Sequence, residues 1–187
     1  MIYLDHNATT PVSPEVFEAM RPFFCEDWGN PSSSYHFGSK LKTAIEVARE
    51  QVAGLIGASP REIIFTSCAT ESNNTAIQAA LKSNPKKRHI ITSAVEHSSV
   101  LNFCMALERD GVRVTYLSVD RDGLLKLPDL KSSITDETAI VSLMWANNET
   151  GVIFPVEHLL SPDCQHLLSP DCQQGKSISD GKDIFSV

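Results

Sequence analysis

The spacing of apolar positions changes several times along the 187-residue chain. After Ser13-Pro14-Glu15, residues Val16, Phe17, Met20, Phe23 and Phe24 recur at helical intervals. That opening combines a cap, a proline at the first helical position and an acid in the first turn. From Gly38 a longer amphipathic helix follows, with Leu41, Ala44, Ile45, Val47, Ala48, Val52, Leu55 and Ile56 as its expected buried stripe. Gly57 is placed to stop it. Short apolar runs then alternate with helical periods. The pattern predicts strand 62–66, helix 72–82, strand 89–93, helix 97–109, strand 112–118, a short helix at 128–133 and strand 139–145. Such alternation predicts an α/β fold, a mostly parallel sheet with helices on both faces and right-handed crossovers.

In sheets of this kind, ligands sit at the carboxyl ends of the strands. Three polar clusters fall there: residues 67–74, Glu96-His97-Ser98-Ser99, and Asn147-Asn148-Glu149-Thr150-Gly151. The first is the most suggestive. Glu62-Ile63-Ile64-Phe65 reads as a buried strand, and it runs through Thr66-Ser67-Cys68-Ala69-Thr70 into a helix. The first N–H groups of a helix lack internal partners and its dipole favours an anion there. Ser67, Thr70 and Ser72 offer further hydroxyl donors, so a phosphate group fits. Thr70 acting only as the helix cap stays open beside it. Likewise His97 reads either as a functional ring or as a locally hydrogen-bonded residue at a helix start. Asn148 reads either as a site residue or as part of a turn before glycine.

Composition narrows the class. A hydrophobic share of 42% and a charged share of 21% suit one globular domain with a sizeable core. The formal net charge of −7 argues against nucleic acid or an anionic membrane as the main partner. Lys86-Lys87-Arg88 is the longest basic cluster and suits a solvated loop. No apolar run is long enough to span a bilayer, and the start lacks a signal-peptide pattern. Five cysteines without a paired framework fit a reducing cytoplasm. The tail differs in kind: residues 158–165, His-Leu-Leu-Ser-Pro-Asp-Cys-Gln, recur verbatim at 166–173. Two copies of eight residues suit a local duplication rather than a solenoid. The spacing of their His, Asp and Cys matches no standard zinc arrangement, so no metal is expected.

Five motifs together resemble one family. They are Tyr3-Leu4-Asp5-His6-Asn7-Ala8-Thr9-Thr10-Pro11, Gly29-Asn30-Pro31-Ser32-Ser33, Ile64-Phe65-Thr66-Ser67-Cys68-Ala69-Thr70-Glu71-Ser72-Asn73-Asn74, Glu96-His97 and Asn147-Asn148-Glu149-Thr150-Gly151. In this order and spacing they resemble the NifS/IscS-type pyridoxal-phosphate-dependent cysteine desulfurases, with selenocysteine lyase a relative. The resemblance implies the large domain of the aspartate-aminotransferase architecture (PLP fold type I), with residues 1–156 its N-terminal part and 157–187 an aberrant tail. It implies pyridoxal 5'-phosphate as cofactor, L-cysteine or L-selenocysteine as substrate, a homodimer, and sulfur-acceptor scaffold proteins as partners.

The resemblance also implies residue roles. Ala69 and Thr70 would hold the cofactor phosphate, and His97 would be the catalytic residue stacked on the pyridine ring. Asn148 would lie beside the phenolic oxygen and the substrate, and Asn7 near the substrate pocket. Asp171 and Gln174 carry the Asp-x-x-Gln spacing that serves the pyridine nitrogen and phenolic oxygen, with Asp163 a competing aspartate. The family's Ser-x-His-Lys motif and persulfide cysteine have no counterpart in these residues; Lys182 resembles the former only superficially, and Cys68 is expected to be small and buried. The chain is therefore expected to be inactive alone. A non-catalytic partner of a full-length desulfurase and a truncated gene product are the alternatives.

Overall fold

A computed structural model describes residues 2–156 and the backbone of Asp183–Ser186. The chain separates into two compact units, Met1–Phe65 and Thr66–Val187. The division falls inside the stretch that composition reads as one domain.

The first unit is helical. Helix α1 spans Pro14–Met20, and the Ser13 hydroxyl caps it by accepting from Val16 N at 3.4 Å. Helix α2 is the single turn Pro22–Cys25. Helix α3 runs His36–Ile56 and stops at Gly57, whose φ of 69° is a left-handed cap that glycine adopts without strain. Of its predicted apolar stripe, Leu41 is buried, whereas Leu55 and Ile56 are exposed. The period was right for a helix, but nothing among the described residues covers its far end.

The predicted strand 62–66 is not formed. Pro60–Glu62 is a 3-10 turn, Ile63 is extended, and residues 63–66 have no ladder partner among the described residues. A strand needs a neighbour for its N–H and C=O groups, and here a side chain supplies one instead. The Arg49 guanidinium donates to Ile63 O and lies 4.9 Å over the Phe65 ring. Ile64 remains 75% exposed, so the apolar run does not mark a buried strand.

The second unit is the α/β body. Helix α4, Ala69–Ser83, leads to β1, His89–Ser93, then α5, Ser98–Arg109, and β2, Arg113–Leu117. Helix α6, Leu127–Ser133, and β3, Thr138–Leu143, follow. A fourth strand, β4 at Asp183–Ser186, was not predicted. The sheet order is β2-β1-β3-β4, and every pairing is parallel. Successive strand residues face opposite ways, and the core divides accordingly. Ile90 and Ile140 pack with Ile77 and Ala80 of α4 and with Val100, Cys104 and Leu107 of α5. Ile91 and Val141 pack with Leu130 of α6 and with Phe154 and Val156. Helices thus cover both faces, as the alternation predicts.

Two buried contacts tie the loop after β1 to the loop after β3. Glu96 Oε1 accepts from Met144 N at 2.6 Å and from the Ser93 hydroxyl at 3.4 Å. Asn147 Nδ2 donates to Val95 O at 3.0 Å. Burial pushes the Glu96 carboxyl above its ordinary value, opposed by the Met144 N–H, the Ser93 hydroxyl and the His97 N–H.

Two variants test this packing. A Cβ at Gly38 would lie 2.3 Å from Asn30 O, a backbone atom that cannot swing aside. Gly38→Ala is expected to cost about 1–3 kcal/mol; an unchanged urea midpoint would refute the close approach. For Glu96, a raised carboxyl pKa gives stability that is complete below the unfolded-state value and lost as pH rises through the folded one. Glu96→Gln keeps an acceptor for Met144 and removes the titration. Its stability relative to wild type should therefore improve as pH rises through the carboxylate range to neutrality, and a pH-independent difference in urea midpoints would count against it.

Candidate functional site

Helix α4 starts one residue before the threonine that sequence offered as its cap. Cys68 is the N-cap, in extended backbone at φ −167°, and makes no capping hydrogen bond through its side chain. Ala69 and Thr70 are the first two helical residues, so Thr70 lies in the first turn and is not the cap. Of the three candidate hydroxyls, two are engaged. Ser67 Oγ donates to Glu71 Oε2 at 2.6 Å, and Ser72 Oγ shares a 2.6 Å bond with Thr66 Oγ1. Thr70 is left as the hydroxyl beside the helix opening.

Cys68 is exposed, contrary to the expectation of a small buried residue. As N-cap it stands at the mouth of the helix rather than beneath it. The Glu71 N–H and then the Ser67 hydroxyl favour its thiolate and hold its pKa below the usual thiol value. The same donors would favour any anion at that position. The Ser67 hydroxyl and N–H hold the Glu71 carboxyl below its ordinary value. This donor set of first-turn N–H groups without a side-chain cap and the Thr70 hydroxyl, all turned toward the Cys68 position, fits a phosphate group.

His97 is the N-cap of α5. Its Nδ1 accepts from Ser99 N at 3.1 Å and lies 2.9 Å from Ser99 Oγ. The local hydrogen bonding that the sequence left open as an alternative is therefore present at Nδ1. It uses one edge of an exposed residue, and Nε2 has no partner among the described residues. Asn73, one turn into α4, donates from Nδ2 to Ser99 Oγ at 2.9 Å. Through this bond the start of α4 and the His97 loop are joined.

The two asparagines after β3 have different positions. Asn147 is buried and builds the turn: its Oδ1 accepts from Glu149 N at 3.0 Å, Thr150 N at 2.9 Å and the Thr150 hydroxyl at 3.1 Å. Gly151, at φ 73°, closes the turn. Asn148 is exposed on it, with only Glu149 Oε1 beside its amide at 3.2 Å. The neighbour thus does the turn-making, and Asn148 is left available.

The α4 start, the His97 loop and the Asn148 turn belong to one hydrogen-bonded rim. Asn7 lies in an exposed turn of the first unit. Asp163, Asp171, Gln174 and Lys182 lie outside the described residues, as does the octapeptide repeat. Among the described residues there is no cluster of potential metal ligands, and no helix is long and apolar enough to cross a membrane. Sequence reading missed the connecting roles of Asn73, Glu96, Ser99 and Asn147. Asn73, Glu96 and Asn147 lie inside the motifs and Ser99 two residues beyond one, and burial is what distinguishes them.

The chain is similar to known proteins in both sequence and fold. The Aminotransferase class-V family model matches residues 2–170. Over 159 residues the chain is 56% identical to a cysteine desulfurase of Trichormus azollae, spanning 85% of this chain and 40% of that protein. It is 50% identical to the cysteine desulfurase NifS of Azotobacter vinelandii, spanning 84% and 40%. A NifS-like protein structure superposes with a TM-score of 0.83 at 38% identity, covering 99% of this chain and 48% of that one. The structure of SspA in complex with cysteine gives a TM-score of 0.79 at 39% identity, covering 88% and 47%. The chain thus spans about two-fifths of the curated relatives' length, and its parallel sheet with helices on both faces is the pyridoxal-phosphate fold type I core. By sequence and by fold, this chain belongs to the class-V aminotransferase family and is a homologue of the NifS/IscS cysteine desulfurases.

Proposed function

We propose that these residues form the phosphate- and ring-holding part of a cysteine desulfurase, an enzyme that removes sulfur from L-cysteine to leave alanine and an enzyme persulfide. One observation carries the proposal: the uncapped start of α4, with Ala69 and Thr70, is bonded through Asn73 and Ser99 to His97. When bound, pyridoxal 5'-phosphate supplies a pyridine ring that acts as an electron sink. The Ala69 and Thr70 N–H groups and the Thr70 hydroxyl would hold its phosphate. His97 would lie on the ring face, and Asn148 would meet the phenolic oxygen and the substrate. Asp171, by its spacing, would keep the pyridine nitrogen protonated, with Gln174 donating to the phenolic oxygen. Asn7 would serve the substrate pocket. Cysteine is favoured over selenocysteine because a matched structure, SspA, was determined in complex with cysteine. A cytoplasmic homodimer that passes sulfur to scaffold proteins follows from the same family reading.

These residues contain no Ser-x-His-Lys motif to anchor the cofactor covalently. They are expected to bind pyridoxal phosphate reversibly, in competition with inorganic phosphate, and to release no sulfide from cysteine. Thr70→Ala, which removes a hydrogen bond to a charged group, should weaken binding about tenfold in equilibrium dialysis. Binding indifferent to both Thr70→Ala and His97→Ala would sink the assignment. So would sulfide release that disappears in Lys182→Ala.

The two asparagines separate stability from binding. Asn147→Ala should lower stability by about 1–3 kcal/mol, since it removes a buried side chain that accepts from the Glu149 and Thr150 N–H groups and holds the turn together. Asn148→Ala should keep the wild-type melting temperature and weaken retention of the cofactor. A reversal of these two phenotypes would show that the wrong asparagine has been assigned.

A further inference from the structure

His97 has a chemical state that its neighbours dictate. Ser99 N is a backbone donor with no lone pair to offer, and it points at His97 Nδ1 from 3.1 Å. Nδ1 must therefore carry a lone pair, and the proton of the neutral ring sits on Nε2. Ser99 Oγ, 2.9 Å from the same nitrogen, receives Asn73 Nδ2 at 2.9 Å and so has its own hydrogen free for Nδ1. Turning the Asn73 amide over would not change the outcome, because the Ser99 N–H remains. Both Asn73 and Ser99 are more than nine-tenths buried. Breaking the Asn73 Nδ2–Ser99 Oγ bond would leave the buried Asn73 amide nitrogen unpaired beside Asn73 Oδ1, which has no partner among the described residues.

We propose that Asn73 and Ser99 are positioning residues that hold His97 as its neutral Nε2–H tautomer, making Nε2 a hydrogen-bond donor, not a base, toward the bound cofactor or substrate. The identity of what Nε2 meets rests on the proposed function; the tautomer is set within this chain. Acting as a base at Nε2 would require the other tautomer, with Nδ1–H facing Ser99 N–H. Becoming an imidazolium would likewise forfeit the Ser99 N–H bond. Because Asn73 belongs to α4, the helix that would hold the phosphate also fixes the ring's protonation pattern.

Long-range ¹H–¹⁵N spectra of the chain labelled with ¹⁵N-histidine read this directly, with His97→Gln identifying the signal. The expected pattern is a protonated Nε2 and a pyridine-type Nδ1 at a pH where the ring is neutral. Ser99→Ala removes one of the two donors to Nδ1 and should shift the tautomer ratio about threefold to tenfold toward Nδ1–H. Ser99→Thr should restore it, and Asn73→Ala should give a smaller shift in the same direction. Added pyridoxal phosphate should move the Nε2 signal and leave Nδ1 in place. An Nδ1–H tautomer in the unaltered chain would overturn the proposal even if no variant folds. So would a ratio insensitive to Ser99→Ala. A chain that shows the expected tautomer but binds no pyridoxal phosphate would remove the proposed function and leave this assignment standing.

Discussion

A carboxylate withdrawn from water must collect donors or give up its charge, and the buried Glu96 meets that demand from the end of a neighbouring strand. Its acceptance of the Met144 N–H joins the loop after β1 to the loop after β3. Parallel strands bring their carboxyl ends to one side by topology alone. Topology does not determine how the loops beyond those ends stand against each other. Two bonds do that, both donated from the loop after β3 to the loop after β1: Met144 N to Glu96 Oε1 at 2.6 Å and Asn147 Nδ2 to Val95 O at 3.0 Å. His97 follows Glu96 directly and Asn148 follows Asn147 directly, so each candidate residue is adjacent in sequence to the clamp that orients its loop.

The same economy appears at α4. Its first turn offers N–H groups without a side-chain cap, and the next turn sends Asn73 to Ser99. One helix therefore provides both the candidate anion site and the hydrogen bond behind the candidate ring. A change at Asn73 would reach His97 without touching the phosphate donors. The candidate side chains Thr70, His97 and Asn148 are exposed, and the groups beside them, Asn73, Glu96, Ser99 and Asn147, are buried. Exposure leaves the first set free to meet a ligand. Burial gives the second set the strength of hydrogen bonds formed away from water.

Much of this was legible from the residues in order. The apolar periods located α3 through β3 to within a few residues, because helix and strand periods depend only on local geometry. The parallel sheet followed from alternation, and Gly57 was recognisable as a stop. Motif order is what nominated the candidate site residues. The failures share one cause. Ile63-Ile64-Phe65 carries a strand composition, yet a strand exists only where a partner accepts its hydrogen bonds, and Arg49 took that place. The stripe on α3 has the right period, but burial of Leu55 and Ile56 depends on what lies across from them. Cys68 was expected inside because small residues often are, and its exposure follows from its N-cap position.

The sequence by itself determined most of the elements from the long helix to β3, the class of fold and the family, since these rest on local periodicity and on motifs in fixed order. Tertiary structure decided which of two adjacent residues is engaged and which is left exposed. It set Asn147 in the turn and left Asn148 free, made Cys68 rather than Thr70 the cap, and aimed the Ser99 N–H at His97 Nδ1. Those outcomes depend on burial and hydrogen-bond direction between segments far apart in the chain, and neither quantity is carried by the letters alone.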